Sequence, residues 1–176
     1  MKNLVLTLAV AGLMGGASMA FAQAEETMTD AKIVKLMKTA NDGEIDLAKM
    51  AKSKAENKDV KDFAKQMIDE HKKNEKESKD VAKKAKVKPE DSTASRDLKS
   101  LAEGKEKELK NFKGKEFDKA YIDQQISMHQ QLLDDLNTKL IPAAQSPELK
   151  TYLEATKAHV EKHLSRAQEI QTSLNK

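Results

Sequence analysis

Apolar residues recur along this chain at helical spacing over most of its length. Ile33, Leu36, Met37, Ala40, Leu47, Met50 and Ala51 make one stripe, because residues three and four apart share a helix face. Thr29 and Asp30 precede the stripe and can cap its first turn. After a break at Asn57 to Asp59, a second stripe holds Val60, Phe63, Ala64, Met67, Val81, Ala82 and Ala85. It is expected to end near Val87, since Pro89 disfavours helix in the residue before it. Asp91-Ser92-Thr93 opens a further helix with Leu98, Leu101 and Leu109 facing inward, and Gly114 breaks or kinks that helix. A third main stripe runs through Phe117, Tyr121, Ile122, Met128, Leu132, Leu133 and Leu136. Pro142 and Pro147 bracket a loop, with Pro147 suited to a first helical turn. The last stripe carries Leu149, Tyr152, Leu153, Val160, Leu164, Ala167, Ile170 and Leu174.

No segment alternates with a period of two, so strands are not predicted. The fold class is all-α: four main helices plus a shorter helical connection around residues 92–112. A connection that long can run the length of the bundle. The prediction is therefore a ferritin-like four-helix bundle with a long, partly helical crossover between its second and third main helices.

The first segment has a different character. Lys2 is followed by an apolar run from Leu4 to Met14 and by Gly15, Gly16, Ala17 and Ser18. Ala20-Phe21-Ala22 then fits the small-x-small pattern of a cleavage site before Gln23. The apolar run is too short and glycine-rich for a good spanning helix, and no cysteine follows to carry a lipid anchor. The reading is a cleavable signal peptide over residues 1–22 and one helical-bundle domain over 23–176. The mature chain is expected in a bacterial periplasm or outside the cell, with no membrane span after cleavage.

Composition narrows the function classes. A length of 176 residues suits one domain, and the absence of cysteine excludes disulfides and thiolate metal sites. Charged residues make up 35% and aromatics 3%, as in long helices with solvated faces. The net charge of +3 is spread over interspersed signs, as in Lys105-Glu106-Lys107-Glu108. The looser basic stretch from Lys79 to Lys88 reads as a solvated helix end, so nucleic acid is not an expected partner. Protein partners stay undefined, and a monomer or small homo-oligomer is compatible with the pattern. No nucleophile-plus-base arrangement, phosphate loop or nucleotide fingerprint is present, and an enzyme is not the expected class.

The informative residues are polar ones that interrupt apolar stripes. Glu44 lies between Ala40 and Leu47, and His71 follows Phe63, Ala64 and Met67. His129 precedes Leu132, His163 lies between Val160 and Ala167, and His159 is one turn earlier. At a rise of about 1.5 Å per residue, Glu44 and His71 each stand roughly 20 Å from the turn near Asn57. They are nearly level if the first two helices pair antiparallel. Counted from the loop after Leu140, His129 is level with His159, and His163 is one turn deeper.

A buried imidazole or carboxylate needs a partner. One candidate is a single transition metal ion; imidazole nitrogen and carboxylate oxygen suit Zn, Cu, Fe or Ni. The other is a hydrogen-bonded His–Glu layer that only fixes packing. The methionines fall at core spacing and read as core filling. Asp69 and Glu70 are expected to turn toward solvent, and Gln124, Gln125, Gln130 and Gln131 read as surface and boundary residues.

At these residues the chain resembles the exported bacterial family called domain of unknown function 4142, which is grouped with ferritin-like bundles. The resemblance rests on Ala40-Asn41-Asp42-Gly43-Glu44-Ile45-Asp46-Leu47 and on Val60-Lys61-Asp62-Phe63-Ala64 leading to Asp69-Glu70-His71. It continues through Phe117-Asp118-Lys119-Ala120-Tyr121, His129 and His163-Leu164. It implies a periplasmic or outer-membrane-associated protein of no defined activity, with Glu44, His71, His129 and His163 as a polar core. His159 falls outside the resembling pattern. Ferritin-like di-iron enzymes place a Glu three residues before each of two histidines. Here those positions are Ile68, Ile126 and Val160, so ferroxidase chemistry is not expected. Three readings remain: a periplasmic protein binding one metal ion through Glu44, His71, His129 and His163 with His159 assisting; a structural or stress-related envelope protein whose polar layer specifies packing; and an enzyme with a single-metal site, which nothing beyond the same candidate ligands favours.

Overall fold

The computed structural model describes residues 26–176, so the predicted signal segment lies outside the described residues. Among the described residues the chain is helical without strands. The helices are α1 (Asp30–Lys54), α2 (Lys58–Lys84), α3 (Thr93–Leu109), α4 (Gly114–Asp135), the three-residue α5 (Ile141–Ala143) and α6 (Pro147–Leu174). None of them is long and apolar enough to cross a membrane.

Side-chain caps set most of the starts. Thr29 accepts from the Lys32 amide and Asn57 from those of Asp59 and Val60. Ser92 and Ser95 form a reciprocal capping box, and Ser146 caps α6 beside Pro147. Such caps satisfy amides that have no partner within the helix. Gly114 opens α4, and its φ of +55° is a backbone conformation that glycine adopts without strain.

Pro142 does not begin a loop. The helix runs on from α4 through a π-helical segment, Leu136–Leu140, into α5. The Ile141 amide bonds the Leu136 carbonyl there. This wider turn absorbs the ring and missing N–H of Pro142, which a regular helix interior tolerates poorly.

α1 packs along α2, α4 along α6, and α2 along α6, while α3 lies chiefly on α1. Two polar clamps fix the ends. Buried Asp118 on α4 accepts from the Glu56 and Asn57 amides in the α1–α2 turn, at 3.1 and 2.7 Å. Asp30 on α1 accepts from the Gln145 and Ser146 amides at the start of α6.

α3 departs from its predicted face. Leu101 is 49% exposed and Leu98 only partly buried, whereas Ser95, Ala102 and Leu109 are buried. The cause is the close approach of α3 to α1 at Gly43. A Cβ there would stand 2.9 Å from the Ala102 Cβ. Small residues make that contact, so the helix rolls Leu98 and Leu101 toward the edge, while Leu109 stays buried as predicted.

Apolar packing falls into two clusters. One contains Leu47, Ala51, Val60, Phe63, Met67, Leu109, Phe117, Tyr121, Ile122 and Ile170. The other contains Ile33, Met37, Leu136, Leu140, Leu149, Leu153 and Val160. On each of α1, α2, α4 and α6, a buried polar residue falls between the segment that joins one cluster and the segment that joins the other. These residues are Asn41 and Glu44, His71, His129, and His163.

Candidate metal centre

The polar layer is built from the same periodicity as the core, so its side chains point where apolar ones would. His71, His129 and His163 are each 7% exposed or less. Their ring centroids stand 6.2, 5.5 and 5.3 Å apart. Each ring offers a nitrogen, and these three nitrogens lie within 4.8 Å of one another. In a tetrahedral site with bonds of about 2.0–2.1 Å, ligand nitrogens stand about 3.4 Å apart. Side-chain adjustments on the order of 1 Å would close the group around one ion.

One nitrogen of each ring is hydrogen-bonded. His71 Nδ1 lies 2.8 Å from Asn41 Oδ1. Asn41 itself donates Nδ2 to Asn74 Oδ1, which also receives the Tyr152 hydroxyl, and Asn74 donates to Thr156. This chain presents the Asn41 oxygen to the ring, so His71 Nδ1 carries the proton. His129 Nδ1 lies 2.9 Å from the Gln125 carbonyl, which can only accept. His163 Nε2 lies 2.8 Å from the Glu70 carboxylate. Each bonded nitrogen therefore donates, and the other keeps its lone pair. Those other atoms, His71 Nε2, His129 Nε2 and His163 Nδ1, are buried without a hydrogen-bond partner. Outer-shell acceptors of this kind orient histidine ligands in metal sites and raise their basicity.

Electrostatics keep the rings neutral. Burial, and then the neighbouring His129 and His163, hold His71 well below the usual imidazole range. Burial pushes His129 down to about 4. It also lowers His163, against the opposing pull of Glu70. A neutral His163 makes its contact with Glu70 a hydrogen bond to a carboxylate rather than a full ion pair. The bonds from His163 and Gln66 hold Glu70 below its ordinary value although burial alone would raise it.

Glu44 is 5% exposed and accepts from Gln125 Nε2 at 2.8 Å. Burial raises its carboxyl to about 7, despite that bond and the field of His163. Its carboxylate is not among the three mutually close ligand groups. It lines an apolar cavity of about 400 Å³ between α1, α3 and α4. The Tyr121 hydroxyl, buried and unpartnered, is raised well above its usual value by burial and by Glu44. His159 stays 45% exposed and meets Glu70 at 3.5 Å.

Thus the structure brings His71, His129 and His163 together, sets Glu44 beside them in the layer, and leaves His159 outside. His163, not His159, is level with His129. The helical path from His129 continues to Ala143, which moves the matching level one turn deeper into α6. Gln124 and Gln125 are buried rather than peripheral, and Glu70, although 36% of its side chain is exposed, also bonds His163 on α6. The signal for Asn41 and Gln125 was present. Asn41 lies four residues after Met37, and Gln125 lies midway between Tyr121 and His129.

Fold and site together define an all-helical protein with a buried polar layer of three convergent histidines. A sequence profile of the family described as domain of unknown function (DUF4142) matches residues 16–170. The chain belongs to that family. No curated protein and no solved structure matches it significantly.

Proposed function

We propose that this protein is an exported helical bundle that binds one transition metal ion through His71, His129 and His163. The single observation that carries the reading is the set of three buried, unpartnered ring nitrogens whose opposite nitrogens are all anchored as donors. An unsatisfied buried polar atom costs about 1–3 kcal/mol. Three of them would cost roughly 3–9 kcal/mol, comparable to the whole stability of a domain. One cation accepts all three lone pairs at once. Neutral imidazoles suit Zn, Cu or Fe. Three protein ligands leave a further coordination position open. Glu44, close by and ionisable near neutrality, balances the charge of the ion.

The bundle is read as ferritin-like, with α1, α2, α4 and α6 as main helices and α3 as the crossover. Export to the periplasm rests on the charge and hydropathy pattern of residues 1–22. Calorimetric titration of metal-stripped protein tests the reading. One divalent ion per chain is expected, with binding lost in His71→Ala and His129→Ala. No heat above background for Zn, Cu, Ni or Co would defeat it.

A packing-only layer is the second reading. It is favoured by the ring contacts at 5.3–6.2 Å, two of them edge-to-face, which close the layer without an ion. It predicts equal thermal stability with and without metal.

A further inference from the structure

The three histidines are buried, yet a cleft of about 290 Å³ between α1, α2 and α6 reaches two of them. His71 and His163 line its inner wall, and Glu70 and His159 line it as well. The Glu70 side chain is 36% exposed and that of His159 45%. One carboxylate oxygen, Glu70 Oε2, lies 2.8 Å from His163 Nε2 and 3.5 Å from His159 Nδ1. A solvent-reachable carboxylate is thus in direct touch with one ring of the buried group, and a part-exposed imidazole lies against that carboxylate. His159 sits one turn before His163 on the same helix face. Its contact with Glu70 is longer than an ordinary hydrogen bond, so the ring is not tied down.

We propose that Glu70 and His159 form a landing site that passes a divalent transition metal ion to His71, His129 and His163. The proposal rests on the three-histidine reading. A hydrated ion loses water reluctantly in one step. Here it exchanges waters first for the Glu70 oxygen and the His159 nitrogen, both of which Zn, Ni or Co accepts as ligands. Once Glu70 holds the ion, its hydrogen bond to His163 Nε2 is released. The His163 ring is then free to turn and offer Nδ1, which carries no proton. The ion moves inward to that nitrogen and on to His71 and His129. Glu70 then reforms its bond to His163 Nε2 behind it. No proton is lost from the three rings in this sequence.

A group used only in passage lowers the barrier equally from both sides. His159→Ala should therefore slow Co²⁺ loading and its release to a chelator by the same factor, about tenfold, equivalent to ~1.4 kcal/mol of barrier. The stoichiometry, the Kd and the visible spectrum of the bound Co²⁺ stay as in wild type. Stopped-flow absorbance with Co²⁺, repeated with Zn²⁺ and a competing indicator, reads both rates. Glu70→Gln, which keeps an acceptor for His163, should slow loading too. Wild-type loading and release rates in His159→Ala would overturn the landing site while leaving the three-histidine centre intact. So would a weaker Kd with faster release, which would make His159 an equilibrium ligand. Failure of the wild-type chain to bind Co²⁺ or Zn²⁺ at all would instead defeat the centre itself, and the landing site with it.

Discussion

Replacing Glu44 by Gln separates the cost of the buried carboxyl from its use. Burial raises the Glu44 carboxyl to about 7, against an ordinary value of 4.5. A raised folded pKa means that the stability tied to this group is fully present below pH 4.5. It is lost as the pH rises through 7. The shift converts to about 3 kcal/mol, with no discount for solvent because the side chain is enclosed. Gln is neutral and isosteric, and its amide oxygen can still accept from Gln125 Nε2. Glu44→Gln should therefore stabilise the metal-free protein at pH 8.5 by up to about 3 kcal/mol, or roughly 6–12 °C in Tm. The gain should shrink to nearly nothing at pH 4.5. With metal the sign reverses: a nearby dication favours the carboxylate, so the variant should bind the ion more weakly. Urea melts at the two pH values with chelator, followed by metal titration at pH 7.5, make the measurement. A stability change of equal size at both pH values, or unaltered metal affinity, would mean that the charge on residue 44 is not the cause.

Other outcomes follow from the same geometry. His129 is held near 4, and His71 and His163 are lowered. The stability from keeping these rings neutral is present above the ordinary imidazole value and is lost as pH falls toward 4. Metal-free Glu44→Gln, which lacks the offsetting proton uptake at residue 44, should show this acid loss clearly in melts from pH 7 to 4. Gly43→Ala places a methyl 2.9 Å from the Ala102 Cβ. It should push α3 off α1 at a cost of about 1–3 kcal/mol by urea denaturation. Asp118→Ala strands the Glu56 and Asn57 amides and should lose about 1–3 kcal/mol, with raised hydrogen exchange in the α1–α2 turn. Asn41→Leu should weaken metal affinity on the order of 10–100-fold without removing a ligand, because it frees the His71 tautomer.

The stripes from Ile33 to Ala51, Val60 to Ala85, Phe117 to Leu136 and Leu149 to Leu174 carried the helical fold, because each helix buries one continuous face. α3 was harder to orient. Its burial is decided by Gly43 on α1, a partner that no periodicity within α3 reveals. Pro142 misled for a similar reason, since the π-helical segment that accommodates it has no local sequence signature. Within the layer, the histidines were legible as polar breaks in apolar stripes. Glu70 was not. It adjoins His71 in sequence and so points elsewhere around the helix, toward a residue on α6 that only the α2–α6 packing brings near. Asn41 and Gln125 share the inward spacing but resemble ordinary helix-surface amides until their partners on other helices are known.

Anomalous diffraction from crystals of the protein loaded with Zn²⁺ or Co²⁺ locates the ion. One strong peak per chain is expected between His71, His129 and His163, about 2.0–2.1 Å from one nitrogen of each ring. A map with no peak there, or with peaks only at surface carboxylates and His159, would contradict the three-histidine centre.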